Sequence, residues 1–459
     1  MHRRNLLKHL WAGTALGGSS LLLNQSLTAS SSEGKMTSPP RGLPRLKITD
    51  VRTIMTAPNG IRLVVVKVLT SEPGLYGLGC ATFTQRAGVV QAAVDQYLKP
   101  FLVGRDPDEI EDIWQSSYVS SYWRNGPVLF NAMSGIDMAL WDIKGKRANM
   151  PLHQLLGGKC RFAADLYYHA SGRDFQEVED NVRKAMEAGY RHVRAQVAVP
   201  GLATYGTRRT RQSATSSDAG PADSGPTSPV DVWEPGAYVR IVPRLFEHLR
   251  SRLGEEVELL HDVHERISPA QAVQLCRDLE RFHLYFVEDP LPPEENDHFP
   301  HLRRQTSVPI AMGELFNTQQ EYVPLIANRL IDFIRIHLSQ IGGLSPARKV
   351  AALGEYFGVK TAWHGPGDVS PVGHAAGLAL ELSTYNFGIH EGYVFPRETR
   401  EVFPGCPEVR NGYLYANEAP GLGIDVDEKL AAKFPYPSGE PFDFDWGRTR
   451  RRDGTVIRP

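Results

Sequence analysis

Three runs decide the fold: "VELLHD" (257–262), "LYFVED" (284–289) and "VPIAMGE" (308–314). Each is a short apolar stretch that closes on an acid. From Asp262 to Glu288 is a step of 26 residues, and from Glu288 to Glu314 is another 26. A strand, a turn and a crossover helix fill such a step. Consecutive parallel strands therefore carry an acid to one shared edge. Three converging anions cost free energy unless a positive charge offsets them. A hard divalent cation with oxygen ligands supplies that charge. Each acid could instead cap its own helix, but independent caps do not require a constant step.

The same alternation continues outward. "DLYYHA" (165–170) and "HVRAQV" (192–197) precede the three runs, and "IDFIRIH" (331–337) and "VKTAWHG" (359–365) follow them. Seven strand-then-helix units in order predict a closed parallel barrel rather than an open sheet. One stretch breaks the rhythm: 201–237 is polar and rich in Ser, Gly and Pro. It follows a strand, so it should rise from the C-terminal face, where such barrels keep their chemistry. Its Ser-rich centre, within 206–232, is expected to be mobile and its ends ordered.

Before Arg161 the pattern differs. "KITDVRTIMTAPNGIRLVVVKVLT" (47–70) is rich in β-branched residues, and "EPGLYGLG" (72–79) supplies turn chemistry. Antiparallel strands follow from this. In "NAMSGIDMALWDIKGKRANMPL" (131–152), Ala132, Ile136, Ala139, Leu140 and Ile143 recur at helical spacing until Pro151. The expected organisation is an α+β domain over 46–160, a (β/α) barrel over 161–395, and a segment over 396–459 that packs back on the first domain.

Composition narrows the function. The chain has 459 residues, 41% hydrophobic and 22% charged, with a formal net charge of -1. There is no basic excess to favour nucleic acid, and "RTRRR" (448–452) reads as a solvated tail. Cys80, Cys160, Cys276 and Cys406 form no CxxC pair, which speaks against a disulfide framework or a zinc cluster. The start, "MHRRNLLKHLWAGTALGGSSLLL" (1–23), has a basic head and an apolar run, and "SLTAS" (26–30) follows. Residues 1–45 are expected to be a signal peptide and flexible leader. Arg3-Arg4 resembles a twin-arginine signal, with Leu6 where Phe is usual. The expected location is periplasmic, or cytoplasmic if the signal is not used. Gly and Ser interrupt the apolar run, so no stable membrane span is expected in the mature form.

"AMSGIDMALWDIKGK" (132–146), the carboxylate series and "WHGPGDVSP" (363–371) resemble the enolase superfamily. "YRHVRAQVAVPGLATYG" (190–206), "HDVHER" (261–266), "FNTQQEYVPLIANRLIDFIRIHLSQIGGL" (316–344) and "NFGIHEG" (386–392) resemble its mannonate dehydratase group, which includes proteins labelled starvation-sensing. The resemblance runs from Lys47 to Asp427. It implies an α/β fold: an α+β capping domain followed by a (β/α)7β-type TIM barrel.

It also implies a chemistry. A base removes the proton next to a carboxylate, and Mg2+ stabilises the enediolate. Asp262, Glu288 and Glu314 match the metal ligands. His264, two residues after Asp262 on the same strand face, matches a general acid/base. "RAQ" (194–196) carries Arg194 where many superfamily members have a Lys pair, which argues against a Lys-based racemase or cycloisomerase. In the dehydratase group this Arg works with a Tyr as base, and Tyr205 matches it. A phenol titrates at about pH 10 and needs a nearby cation to act as a base at neutrality. His169, Arg335, His364 and Glu391 match substrate-binding positions.

The implied reaction is loss of water from a sugar acid, D-mannonate or an aldonate such as D-gluconate, to a 2-keto-3-deoxy acid. The implied partners are that small molecule and further copies of the chain in a homo-oligomer. Some positions depart from the group: Cys80 and Thr84 replace an Asp and a substrate-facing Asn, Pro366 replaces Ala, and "DGTVIRP" (453–459) lacks an aromatic. The alternative expectation is an exported sugar-acid binding or sensing protein. Intact Arg194, Tyr205 and His264 favour the enzyme, because binding alone would not need them.

Overall fold

The computed structural model describes residues 44–199, 232–436 and 449–457. Tyr205, the leader through residue 43 and the loop through residue 231 lie outside them. The described residues from Arg45 onward belong to one compact unit. Among them, no helix is long and apolar enough to cross a membrane.

The first part is an antiparallel sheet of β1 (Ile48–Thr56), β2 (Leu63–Thr70) and β3 (Tyr76–Cys80), in that order. The helix Pro127–Arg147 lies across it. Contact is close because of two glycines. A Cβ built on Gly77 would stand 1.9 Å from the Ala139 carbonyl oxygen, and one on Gly79 would stand 2.0 Å from that of Gly135. Asp142, fully buried on this helix, accepts from the Leu78 amide (3.0 Å), the Leu422 amide (2.8 Å) and Lys146 Nζ (2.7 Å). One carboxylate thus ties strand, helix and C-terminal segment together. Burial raises its pKa, and these donors offset that cost.

The barrel follows. Parallel strands β4 (Ala164–Gly172), β5 (His192–Val197), β6 (Glu258–Asp262), β7 (Phe286–Glu288), β8 (Ile310–Met312), β9 (Phe333–Ile334) and β10 (Lys360–Thr361) pair in sequence order. Six of these strands fall within their runs, and β4 covers its run with one residue before it and two beyond. The eighth, β11 (His390–Glu391), lies inside "NFGIHEG" and pairs in parallel with β4. The Gly388 amide donates to the Thr361 carbonyl at 2.8 Å, which joins β11 to β10 and closes the ring. Tyr167, Leu260, Phe286, Ala311, Phe333, Ala362 and Ile389 form an apolar layer inside it. That layer is the floor on which the polar rim stands.

After the barrel, β12 (Glu408–Arg410) and β13 (Tyr413–Tyr415) form a hairpin that joins β4 antiparallel. The chain then returns to the first sheet. Thr56 Oγ1 donates to the Ala431 carbonyl at 2.9 Å, and the Leu152 amide donates to the Gly421 carbonyl at 2.7 Å.

Gly79→Ala should test the close approach. Its methyl has no room beside Gly135, so overpacking of about 1–3 kcal/mol is expected. A thermal melt of the variant should show a lower midpoint; an unchanged melt would mean that the helix can retreat freely.

Candidate active site

All eight strands deliver a side chain to one rim. His169 lies in β4, Arg194 in β5, and Glu391 in β11. Asp262 and Glu288 are the last residues of β6 and β7. Arg335 and His337 follow β9, and His364 follows β10. Glu314 stands two residues beyond the end of β8, after Gly313 with φ 136°. All of these residues lie within the described chain.

His264 reaches the rim differently from the sequence expectation. Strand β6 stops at Asp262, and His264 and Glu265 take φ of 52° and 57°. This left-handed turn, costly for residues with a Cβ, replaces strand alternation and re-aims both side chains. The His264 amide donates to Asp262 Oδ1 at 2.7 Å, and His264 Nε2 lies 3.2 Å from Glu314 Oε1.

The carboxylates also group differently. Asp262, Glu288 and Asp289 bring ligand-capable atoms within 4.8 Å of one another, and Glu314 forms a second such group with His264 and Glu265. Two buried guanidiniums lie among them, and Arg335 links the two groups. Arg194 Nη1 donates to Glu288 Oε1 (2.7 Å) and Asp262 Oδ2 (3.1 Å), and its Nη2 donates to His169 Nδ1 (3.1 Å). Arg335 Nη1 donates to Glu314 Oε2 (2.5 Å), and its Nη2 to Glu391 Oε2 (2.8 Å). Arg335 also lies 2.9 Å from Glu288 and 3.3 Å from Asp289. Because a guanidinium cannot accept, His169 Nδ1 must be the acceptor. Its proton is then on Nε2, 3.0 Å from Glu391 Oε1.

Six carboxylates (Asp262, Glu265, Glu288, Asp289, Glu314 and Glu391) therefore meet two buried arginines at the rim. Burial first, and neighbouring carboxylates next, push Asp262 and Glu265 well above the ordinary range. Asp289 is raised as well, by burial against the pull of Arg335. Glu314 and Glu391 are held well below it. Burial opposes this, but His264 and Arg335 win at Glu314, and Arg335 wins at Glu391. Both oxygens of Glu265 are buried without a hydrogen-bond partner. Such a surplus of buried oxygen donors fits a hard divalent cation. Asp262, Glu288 and Glu314 remain the candidates to hold it, with Asp289 and Glu265 beside them.

Burial lowers the His264 pKa, and Glu314 works against that. His261, in β6 next to Asp262, is structural. Its Nδ1 donates to the Ala195 carbonyl at 3.0 Å, its Nε2 accepts from Tyr238 at 2.6 Å, and burial drops its pKa to about 4. Sequence reasoning passed over Glu265, Asp289, His337 and Tyr167, whose hydroxyl donates to Glu288 Oε2 at 3.2 Å. Glu265 and Asp289 directly follow residues it had singled out. Of the departures, Cys80 is sealed in the core, where its carbonyl accepts from Ser134 Oγ at 2.9 Å. Thr84 is buried and donates to Gln85 at 3.0 Å. The Pro366 carbonyl accepts from His374 Nε2 at 3.2 Å.

Comparison with known proteins agrees with this geometry. Residues 44–157 match the mandelate racemase / muconate lactonizing enzyme N-terminal domain, and residues 177–430 match the enolase C-terminal domain-like family. The chain is 55% identical to "D-galactonate dehydratase family member RspA" of Pantoea ananatis, over 90% of this chain and 99% of that one. It is 54% identical to the family member SEN1436 of Salmonella enteritidis, over 90% and 99%. A crystal structure of an enolase from Pantoea ananatis with bound D-gluconate and Mg shares 53% identity, with a TM-score of 0.83 over 90% of this chain and 100% of that one. An enolase superfamily member from Salmonella Typhimurium, at 23% identity and a TM-score of 0.72 over 85% and 98%, shares the fold.

The raised carboxyls set the direction of a pH effect. In the metal-free protein Asp262, Glu265 and Asp289 keep protons above the ordinary carboxyl range, and stability drawn from them is lost as pH rises through their folded values. A divalent cation must displace those protons. Mg2+ affinity should therefore strengthen with rising pH, with proton release visible by calorimetry in two buffers. Saturating Mg2+ should also raise the melting temperature, by a stabilisation of about 2.7 kcal/mol at a hundred times Kd. Asp262→Asn should abolish most of that gain; an equal gain in the variant would remove Asp262 from the metal site.

Proposed function

Because the chain belongs to the enolase superfamily and, within it, to the D-galactonate dehydratase family, we propose that it is a Mg2+-dependent dehydratase of a six-carbon sugar acid. The observation that carries this reading is the buried rim itself: six carboxylates and two guanidiniums, with His264 against Glu314. When bound by Asp262, Glu288 and Glu314, Mg2+ supplies positive charge that offsets the negative charge developing at the substrate carboxylate.

The residues divide the remaining work. Tyr205, outside the described residues, keeps the role given by the resemblance, removing the proton at C2. Arg194 supplies the cation that a phenol needs for this. His264 delivers a proton to the hydroxyl departing from C3. The C2–H and C3–O bonds break, water leaves, and the enol tautomerises to the 2-keto-3-deoxy acid. Glu391, held ionised, accepts hydrogen bonds from substrate hydroxyls, and His169 and His364 flank it. Arg335 braces Glu288, Glu314 and Glu391 in one geometry.

D-mannonate and D-gluconate are the proposed substrates. D-Gluconate gains support from the relative that binds it together with Mg. Export through residues 1–45 and assembly into a homo-oligomer complete the proposal.

The test is turnover of a panel of six-carbon aldonates with Mg2+, scoring 2-keto-3-deoxy product. His264→Asn should lower kcat/KM by about 100-fold or more. No product from any acid, with metal shown to be bound, would overturn the dehydratase and leave a sugar-acid binding or sensing protein.

A further inference from the structure

Behind His364 lies a residue that the mechanism above does not use. His337 Nδ1 is 2.9 Å from His364 Nδ1, and the rings are 5.0 Å apart between centroids. Two ring nitrogens at that distance share one proton: one donates and the other accepts. Burial holds His337 well below the ordinary histidine value, so it is neutral and carries a single N–H.

Two arrangements are possible. In one, His337 Nδ1–H donates and His364 holds its proton on Nε2. In the other, His364 Nδ1–H donates and the His337 proton sits on Nε2. His337 Nε2 is buried without a hydrogen-bond partner. A buried N–H with no acceptor is rarer than a buried lone pair with no donor, which favours the first arrangement. The site side agrees. His364 Nε2 lies 3.5 Å from Glu314 Oε2 and 3.7 Å from Glu391 Oε2. Facing these carboxylate oxygens, an N–H is attracted and a lone pair is repelled.

We infer that His337 is a positioning residue whose Nδ1–H fixes His364 in the Nε2–H tautomer, so that His364 faces the site as a hydrogen-bond donor. Only the catalytic consequence rests on the dehydratase reading. A donor at this position binds a substrate carboxylate or hydroxyl oxygen and cannot take the C2 proton. The loop beyond His364 is held independently: the Gly365 amide donates to Glu391 Oε2 at 3.1 Å, and His374 holds the Pro366 carbonyl. His337 thus selects the tautomer of a ring whose backbone is already anchored.

The test is a long-range proton–nitrogen spectrum of the full chain with labelled histidine and Mg2+, with His364 assigned by comparison with His364→Asn. The expected result is a protonated Nε2 and an unprotonated Nδ1 on His364. His337→Leu should lose that single state, and His337→Asn, whose amide N–H stands near the Nδ1 position, should restore it. On a turned-over aldonate, kcat/KM should fall about 10–100-fold in His337→Leu with Mg2+ affinity unchanged, and recover in His337→Asn. A wild-type His364 protonated on Nδ1, or on both nitrogens, overturns the inference, as does an unaltered tautomer in a folded His337→Leu. The spectrum needs no substrate, so it decides the tautomer even if no aldonate is turned over.

Discussion

The structure is organised around repulsion. A parallel barrel aims its strand ends at one rim, and this chain places an acid at or beside the ends of β6, β7, β8 and β11. Carboxylates in low-dielectric surroundings cannot all stay charged without partners. Arg194 and Arg335 hold part of the charge, and both are themselves buried, so neither could be there without the acids. What the arginines leave unmet, above all the two free oxygens of Glu265, is the coordination chemistry of a divalent cation. The same imbalance that would destabilise an idle protein makes the rim selective for a positively charged occupant.

That rim needs a rigid support. The apolar layer of Tyr167, Leu260, Phe286 and their neighbours closes the barrel below it and keeps water from beneath the charges. The first sheet and the helix Pro127–Arg147 are joined without spacer side chains at Gly77 and Gly79, and Asp142 binds them to the C-terminal segment. Two very different devices, steric intimacy and a buried satisfied carboxylate, therefore fix the domain built before the barrel. Cys80 belongs to this joint rather than to an open pocket wall, because its neighbours are Ser134, Ser339 and Gly373.

Much of this was legible in the residues. The 26-residue step of the acids gave the barrel register, because a strand-helix unit has a narrow range of lengths. Seven strands could be located from apolar runs, even the two-residue β9 and β10, but the two-residue eighth lies in "NFGIHEG", which offers no such run. The site residues were found through their places at strand ends and through the resemblance. What stayed hidden depended on chain direction after a strand stops. Alternation predicts which face a side chain takes only while the backbone is extended. Past Asp262 the left-handed turn carries both His264 and Glu265 inward, and Asp289, with φ 41°, does the same after Glu288. Adjacent acids that a strand would send to opposite faces thus share one site.

His337 illustrates a further limit. In the sequence it is one more histidine after a strand, two residues beyond the arginine that braces the rim. Its significance lies in a nitrogen-to-nitrogen distance between β9 and β10, which no spacing encodes. An isolated His364 could present either a lone pair or an N–H to a substrate, and the two choices make opposite chemistry. The surrounding charge favours N–H, but charge alone acts on a ring free to exchange tautomers. A neutral, buried donor on the far nitrogen removes the alternative. Because that donor touches neither the cation ligands nor the substrate side of His364, the rim can keep its charge balance while the role of one ring is set from behind.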